Sequence, residues 1–329
     1  MKYSLLLAMI GLLFGCASPE AYFRNEGFVF GTTYHFIYEC NSDLQVQIMD
    51  KIASVDWSLL TFKDSSVISR VNKNDTSVVL DDHFVTVYNK ALEVTLKTNG
   101  AFDMTVAPLV NAWGFGFTNR DSMTQAKVDS MLEFVGMGNV KLERGKIIKA
   151  DPRLMLDASA IAKGYGVDVA ALFLESVGVK NYMVEIGGEL RVKGHNDKGL
   201  PWSVGIDKPI DDPAAGSREL QEILRLDNQS LATSGNYRNF YYQGNKKYAH
   251  TIDPKTGYPV QTNVLSSSVI APDCMTADAY ATAFMVLGLE KSLAIANTDP
   301  TIEAYFIYSD ENGNMQEVWS TGFERLIKK

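Results

Sequence analysis

The chain has 329 residues, 46% of them hydrophobic and 21% charged, with a formal net charge of −8. That composition excludes whole-chain disorder, collagen and coiled coil, and it supplies enough core for one compact domain or two intimate lobes. The acidic balance speaks against nucleic acid as a partner, so an anionic substrate would need local help from a metal ion or backbone N–H groups.

Residues 1–15 read as an export signal. Lys2 gives a short positive start, and the apolar run from Leu5 to Phe14 is too short for the roughly 20 residues of a membrane span. The run ends Leu12-Leu13-Phe14-Gly15-Cys16, which resembles a bacterial lipobox. Cys16 is then the expected lipidation site and 16–26 a tether, with the protein an exported lipoprotein on the periplasmic face of a membrane. An ordinary cleaved signal with an incidental cysteine is the competing reading. The remainder, 27–329, would be the folded domain. Three cysteines are too few for a disulfide scaffold or an all-cysteine metal site, although export would permit Cys40 and Cys274 to pair.

Along the domain, 27–39 is aromatic and β-branched and predicts a strand interrupted at Gly31. Ser42 or Asp43 offers an N-cap for a helix to about Leu59, with Leu44, Ile48, Ile52 and Val55 on one face. A second helix is expected from Asp81 to Thr98 with Gly100 as its stop, a shorter one after Thr124, and another over 160–177. From 182 to 271 the pattern changes to short strands at 182–186, 189–194, 202–206, 222–227, 238–243, 247–252 and 265–270. A helix from Pro272 to Gly288, a shorter one over 290–297 and terminal strands complete the chain, and 207–219 reads as a surface loop. Strands and helices without strict alternation define an α+β fold.

Nucleotide-binding glycine loops, H-E-x-x-H, C-x-x-C and G-x-S-x-G are all missing, and the four histidines lack metal-ligand spacing. Several polar and glycine-containing segments remain. Asp278 and Thr282 are one helical turn apart in Ala277-Asp278-Ala279-Tyr280-Ala281-Thr282-Ala283. Their oxygens suit a hard cation such as magnesium, or else a buried aspartate is satisfied locally. Asp157 and Lys163 lie at a strand-to-helix junction, either as metal and anion contacts or as an N-cap and a solvated first-turn lysine. Gly187-Gly188 marks a close backbone approach or a tight turn. Gly100-Ala101-Phe102-Asp103 stops a helix and could also accept a flat ring. His250, beside an Asp-Pro-x-Thr-Gly turn, is either structural or catalytic, whereas His35, His83 and His195 read as structural or solvated.

Taken in order, these segments resemble the ApbE family of FAD:protein FMN transferases. The likeness runs from about Phe28 to Gly288. It is carried by Gly31-Thr32-Thr33-Tyr34, Thr61-Phe62-Lys63-Asp64-Ser65 and Gly100-Ala101-Phe102-Asp103. It continues through Asp157 to Tyr165, Gly187-Gly188-Glu189-Leu190, His250 to Gly257 and Ala277 to Thr282. The resemblance implies FAD as substrate with Mg²⁺ on its diphosphate, a threonine hydroxyl of a target flavoprotein as acceptor, and AMP as leaving group. It further implies a respiratory-complex subunit as target. Carried over by position, the metal would be held by Asp278, Thr282 and the carbonyl of Ala160. FAD would meet Phe30, Phe62, Ala101, Phe102, Asp103, Asp157, Lys163 and Ile252, with His250 as the base. Phe30 stands where relatives often have Met, and Ala281 where some offer a second metal-binding Asp. The competing functions are a metal-dependent FAD pyrophosphatase, giving free FMN and AMP, and a non-enzymatic flavin-binding lipoprotein.

Overall fold

Apolar and polar residues alternate along 32–40, and the fold pairs this run with the segment before it. β1 (Ala21–Val29) and β2 (Thr32–Cys40) form an antiparallel hairpin in unbroken register from Ala21↔Cys40 to Val29↔Thr32. Its two-residue turn, Phe30-Gly31, has φ of 51° and 74°, the left-handed pair that a tight hairpin demands. Glycine adopts that geometry freely; Phe30 is held in it by packing against the core. The interruption expected at Gly31 is therefore a reversal of the chain. Residues 21–26, expected as tether, are instead most of an edge strand.

The computed structural model describes residues 21–116, 122–210, 219–236, 240–243 and 246–328. The expected signal peptide, Cys16 and the start of the tether lie outside the described residues, as does most of the acidic loop at 207–219. After the hairpin come α1 (Gln45–Leu59), α2 (Val67–Asn72), α3 (Asp82–Lys97), α4 (Ala107–Ala112) and α5 (Gln125–Leu132). They are followed by β3 (Val140–Glu143), β4 (Lys146–Lys149), α6 (Ala162–Ser176), β5 (Tyr182–Ile186) and β6 (Glu189–Lys193). The strand-rich region contains β7 (Trp202–Asp207), β8 (Leu220–Leu226), β9 (Ser230–Gly235), β10 (Phe240–Gln243), β11 (Lys246–Ala249) and β12 (Val264–Ala271). The chain ends with α7 (Cys274–Leu287), α8 (Leu289–Thr298), β13 (Glu303–Ser309) and β14 (Met315–Trp319).

One eight-stranded sheet, in the order β1-β2-β5-β6-β9-β12-β13-β14, organises this α+β fold. Every neighbouring pair in it is antiparallel. Its two faces follow from the period of two along a strand. Ala232, Val269, Ala271, Ala304 and Phe306 pack with the helices. Their neighbours Leu231, Ile270, Tyr305 and Ile307 pack with Trp202, Leu224 and Phe323 on the other side. Nearer β1, Tyr34, Phe36 and Tyr38 cover Ile48 and Ile52 of α1 and Val167 and Leu174 of α6. Helices thus cover one face, and the β7–β8 hairpin with the C-terminal residues covers the other.

The caps follow local chemistry. The N-cap of α1 is Leu44, one residue beyond the expected Ser42 or Asp43, and makes no side-chain cap bond; Asp43 instead accepts the Gln45 N–H at 2.9 Å and the Tyr38 hydroxyl at 2.7 Å just ahead of the helix. Asp81 accepts the Phe84 N–H at 2.8 Å at the start of α3. Asp168 of α6 reaches across to α7, accepting the N–H groups of Cys274 and Met275 at 2.9 and 2.8 Å. A carboxylate there also meets the positive end of the α7 dipole. Burial pushes the Asp168 carboxyl up to about 6, against the two amides and the Arg191 guanidinium 2.9 Å away. Cys40 and Cys274 are both free thiols. No helix of the described residues is long and apolar enough to cross a membrane.

Candidate active site

Chain segments that are remote in sequence converge on one cavity of about 420 Å³. The loops after α1 and α3 supply Thr61, Phe62, Ala101, Phe102 and Asp103. The approach to α6 supplies Asp157, Ala160 and Lys163, and α7 supplies Asp278 and Thr282. His250 and Ile252, just after β11, line it as well. Phe30 does not: its ring lies over Gly166 of α6, where an added Cβ would come within 2.4 Å of the Phe30 Cε2 atom. Among the sequence-predicted residues that are described, Phe30 alone stands apart from the cavity.

The acidic residues differ in what their oxygens already do. Asp103 is buried, with Oδ1 accepting the Thr105 N–H and hydroxyl at 2.7 and 2.5 Å and Oδ2 accepting the Met137 N–H at 3.0 Å. Burial pushes its carboxyl up and these donors oppose the shift, so its main work is to shape the 101–105 turn. Asp157 accepts the Ser159 N–H and hydroxyl at 2.8 and 2.6 Å. It forms a local turn one turn ahead of α6, whose own cap residue Ile161 makes no side-chain cap bond. The N-cap expected at Asp157 is thus displaced, and the turn it makes instead presents Ala160 to the cavity.

Asp278 is only 2% exposed. Its Oδ2 accepts the Gly164 N–H at 2.9 Å, and its Oδ1 lies 4.0 Å from the Lys163 Nζ. The Thr282 hydroxyl is 3.1 Å from that of Ser234 on β9. Lys163 donates to Glu189 Oε1 at 2.6 Å. Burial works against the lysine charge, but the Asp278 and Glu189 carboxylates outweigh it and hold the ammonium above the ordinary lysine range. Burial likewise pushes the Glu189 carboxyl up, with Lys163 opposing.

No group of three or more His, Cys, Asp or Glu among the described residues could hold a metal. Magnesium asks for fewer protein ligands, since it accepts one carboxylate, keeps waters and completes its shell on phosphate oxygens. The donors here are all hard oxygens: one carboxylate, one hydroxyl and one backbone carbonyl. They fit such an ion.

His250 sits at the foot of a pinned loop. Gly257 N–H bonds back to the Asp253 carbonyl at 2.8 Å, the Trp113 indole donates to the Gly257 carbonyl at 2.8 Å, and Thr251 donates to Asn236 at 3.0 Å. The other histidines serve the scaffold: His83 bonds Ser54 and Tyr165, His195 bonds Tyr22, and His35 bonds Glu185. Gly187-Gly188 is the turn between β5 and β6, with φ of 66° and 103°, and Gly187 also lines the cavity. Both readings of the glycine pair therefore hold. Sequence reasoning assigned no role to Glu189, although it stood in a segment singled out; an acid directly after a glycine turn was the available signal.

A flat apolar wall beside an ammonium, an imidazole and a set of hard oxygens defines a site for phosphoryl chemistry on a ring-bearing anion. The ApbE family model matches residues 30–306, and the chain belongs to that family. Its relatives include a protein of Vibrio cholerae, 37% identical over 98% of both chains, and one of Haemophilus influenzae, 36% identical over 98% of this chain and 96% of its own. Both are named FAD:protein FMN transferase. The solved structure of the flavin transferase ApbE from Vibrio cholerae superposes with a TM-score of 0.83 at 36% identity, covering 94% of this chain and 100% of that one. The apo flavinyl transferase ApbE of Pseudomonas stutzeri gives 0.83 at 29%, covering 93% and 97%.

Proposed function

We propose that this protein transfers the FMN moiety of FAD to a threonine hydroxyl of a target flavoprotein, releasing AMP. The observation that carries the proposal is the convergence of Asp278, Thr282, Lys163 and His250 on one cavity with an apolar wall of Phe62, Ala101, Phe102 and Ile252. The family assignment and the names of the relatives point the same way.

In this reading the flavin ring lies against the apolar wall, and Lys163 meets the negative charge of the diphosphate. Asp278, Thr282 and the Ala160 carbonyl would hold Mg²⁺, which when bound neutralises diphosphate charge. His250 takes the proton of the incoming hydroxyl, since a neutral imidazole is the side chain suited to accepting one near neutral pH. The threonine oxygen forms its bond to the FMN-side phosphorus as the bond from that phosphorus to the bridging oxygen breaks. AMP departs with the bridging oxygen. The chain's contribution is positioning and charge neutralisation, which is most of what phosphoryl transfer asks of a protein.

Mass spectrometry of an acceptor flavoprotein incubated with this protein, FAD and Mg²⁺ tests the reading. A mass gain of one FMN is expected, lost with EDTA and restored by excess Mg²⁺. Free FMN and AMP beside an unmodified acceptor would replace transfer by hydrolysis. Intact FAD would overturn both.

The proposal extends to location. Lipidation at Cys16 would hold the domain at the periplasmic face of a membrane, near a respiratory-complex subunit as acceptor. Cys16→Ser is expected to move the protein from the membrane to the soluble fraction while FMN transfer in solution is retained; a variant that stays with the membrane would remove the anchor from the proposal.

A further inference from the structure

We propose that Glu189 is a positioning residue that holds Lys163 away from Asp278 and so keeps the Asp278 carboxylate available to the metal ion. The inference rests on the assignment of Asp278 as a metal ligand in the reading above.

The geometry sets up a competition between two carboxylates for one ammonium. Lys163 Nζ is 2.6 Å from Glu189 Oε1 and 4.0 Å from Asp278 Oδ1, so it is hydrogen-bonded to the first and not to the second. Both carboxylates are buried, Glu189 at 4% and Asp278 at 2% exposure. Glu189 is fixed by its backbone: it is the first residue of β6, directly after the left-handed Gly187-Gly188 turn, and it pairs with Ile186. Its second oxygen, Oε2, is buried without a hydrogen-bond partner. Lys163, through Oε1, is thus the side chain that satisfies this carboxylate, which is otherwise a poor choice for such a place.

Asp278 is treated differently. Its Oδ2 is occupied by the Gly164 N–H at 2.9 Å, which orients the group, while Oδ1 is left beyond hydrogen-bond reach of the lysine. An ammonium in contact with Oδ1 would compete directly with a divalent cation for that oxygen. Glu189 prevents this by offering the lysine a nearer partner on the other side. This is the outer-sphere logic by which a group that never touches a metal sets the affinity of one that does.

The test is a double-mutant cycle on Mn²⁺ binding to the FAD-loaded protein without acceptor, read from the paramagnetic signal of the free ion. Glu189→Gln is expected to weaken binding by at least about 10-fold. Lys163→Met sets the reference of the cycle, since that lysine also meets the diphosphate, and the double variant should bind Mn²⁺ within about 3-fold of Lys163→Met alone. Glu189→Asp, which keeps the charge, should retain most of the affinity. Stoichiometry separates a folding defect from lost affinity. Unchanged binding in Glu189→Gln overturns the inference. So does a Lys163→Met gain equal in both backgrounds, because that is a plain sum of charges. Absence of Mn²⁺ binding by the wild-type protein with FAD would instead remove the metal assignment itself.

Discussion

Asp278→Asn is expected to lower kcat/KM for FMN transfer by at least about a thousandfold, or about 4 kcal/mol of barrier, while leaving the folded protein close to wild-type stability. The asparagine keeps an acceptor oxygen for the Gly164 N–H, now 2.9 Å from Asp278 Oδ2, so the contact between α6 and α7 survives. What it removes is the negative charge that a divalent cation requires. Asp278→Ala removes both, leaving a buried N–H without a partner at a cost of about 1–3 kcal/mol. The two variants therefore separate chemistry from scaffold. Denaturant unfolding should rank Ala below Asn and wild type, whereas FMN transfer should fail alike in both. An Asn variant with normal turnover would end the assignment of Asp278 to the metal.

Much of this site was legible in the sequence because its parts come as compact segments. Ala101-Phe102-Asp103, Asp157 to Lys163, and Asp278 with Thr282 were each visible as local patterns, and the cavity brings them together. What the sequence withheld was the state of each oxygen. Asp103 looked as available as Asp278, yet both its oxygens accept bonds from neighbouring amides and a hydroxyl, and one oxygen of Asp157 is engaged by Ser159. Hydrogen bonding of that kind depends on turn geometry that composition and spacing do not encode. Phe30 shows a different gap, since an aromatic residue beside a glycine motif carries no sign of which way its ring points, and here the ring lies over Gly166.

The elements divide in the same way. α1 and α3 were readable because fifteen or sixteen residues carry a helical period, and α3 also has its Asp81 cap. α2 and α4, six residues each, and the β3–β4 hairpin are too short to express a period. Sheet order was out of reach, because β5 lies beside β2 and β9 lies beside β6 only through contacts distant in sequence.

Gly164→Ala is expected to reduce FMN transfer by about a hundredfold through displacement alone. In an ordinary helix interior this change stabilises, since alanine exceeds glycine by about 1 kcal/mol in helix propensity. Here an added Cβ would stand 2.4 Å from the Cys274 carbonyl oxygen and 2.8 Å from Asp278 Cβ. The first of these is backbone at the start of α7 and cannot rotate aside. The two helices must separate, at an overpacking cost of about 1–3 kcal/mol that exceeds the propensity gain at all but its lower end. Separation stretches the Gly164–Asp278 hydrogen bond and the Asp168 contacts to Cys274 and Met275 together. Asp278 then leaves its register with Ala160 and Lys163, although every side chain lining the cavity is retained. Gly138→Ala is the matched control, because an added Cβ there meets nothing within 4 Å. Equal activity in the two variants would show that the spacing of α6 and α7 does not set the geometry of the site; a deep loss confined to Gly164→Ala would place the control of that geometry in the helix contact.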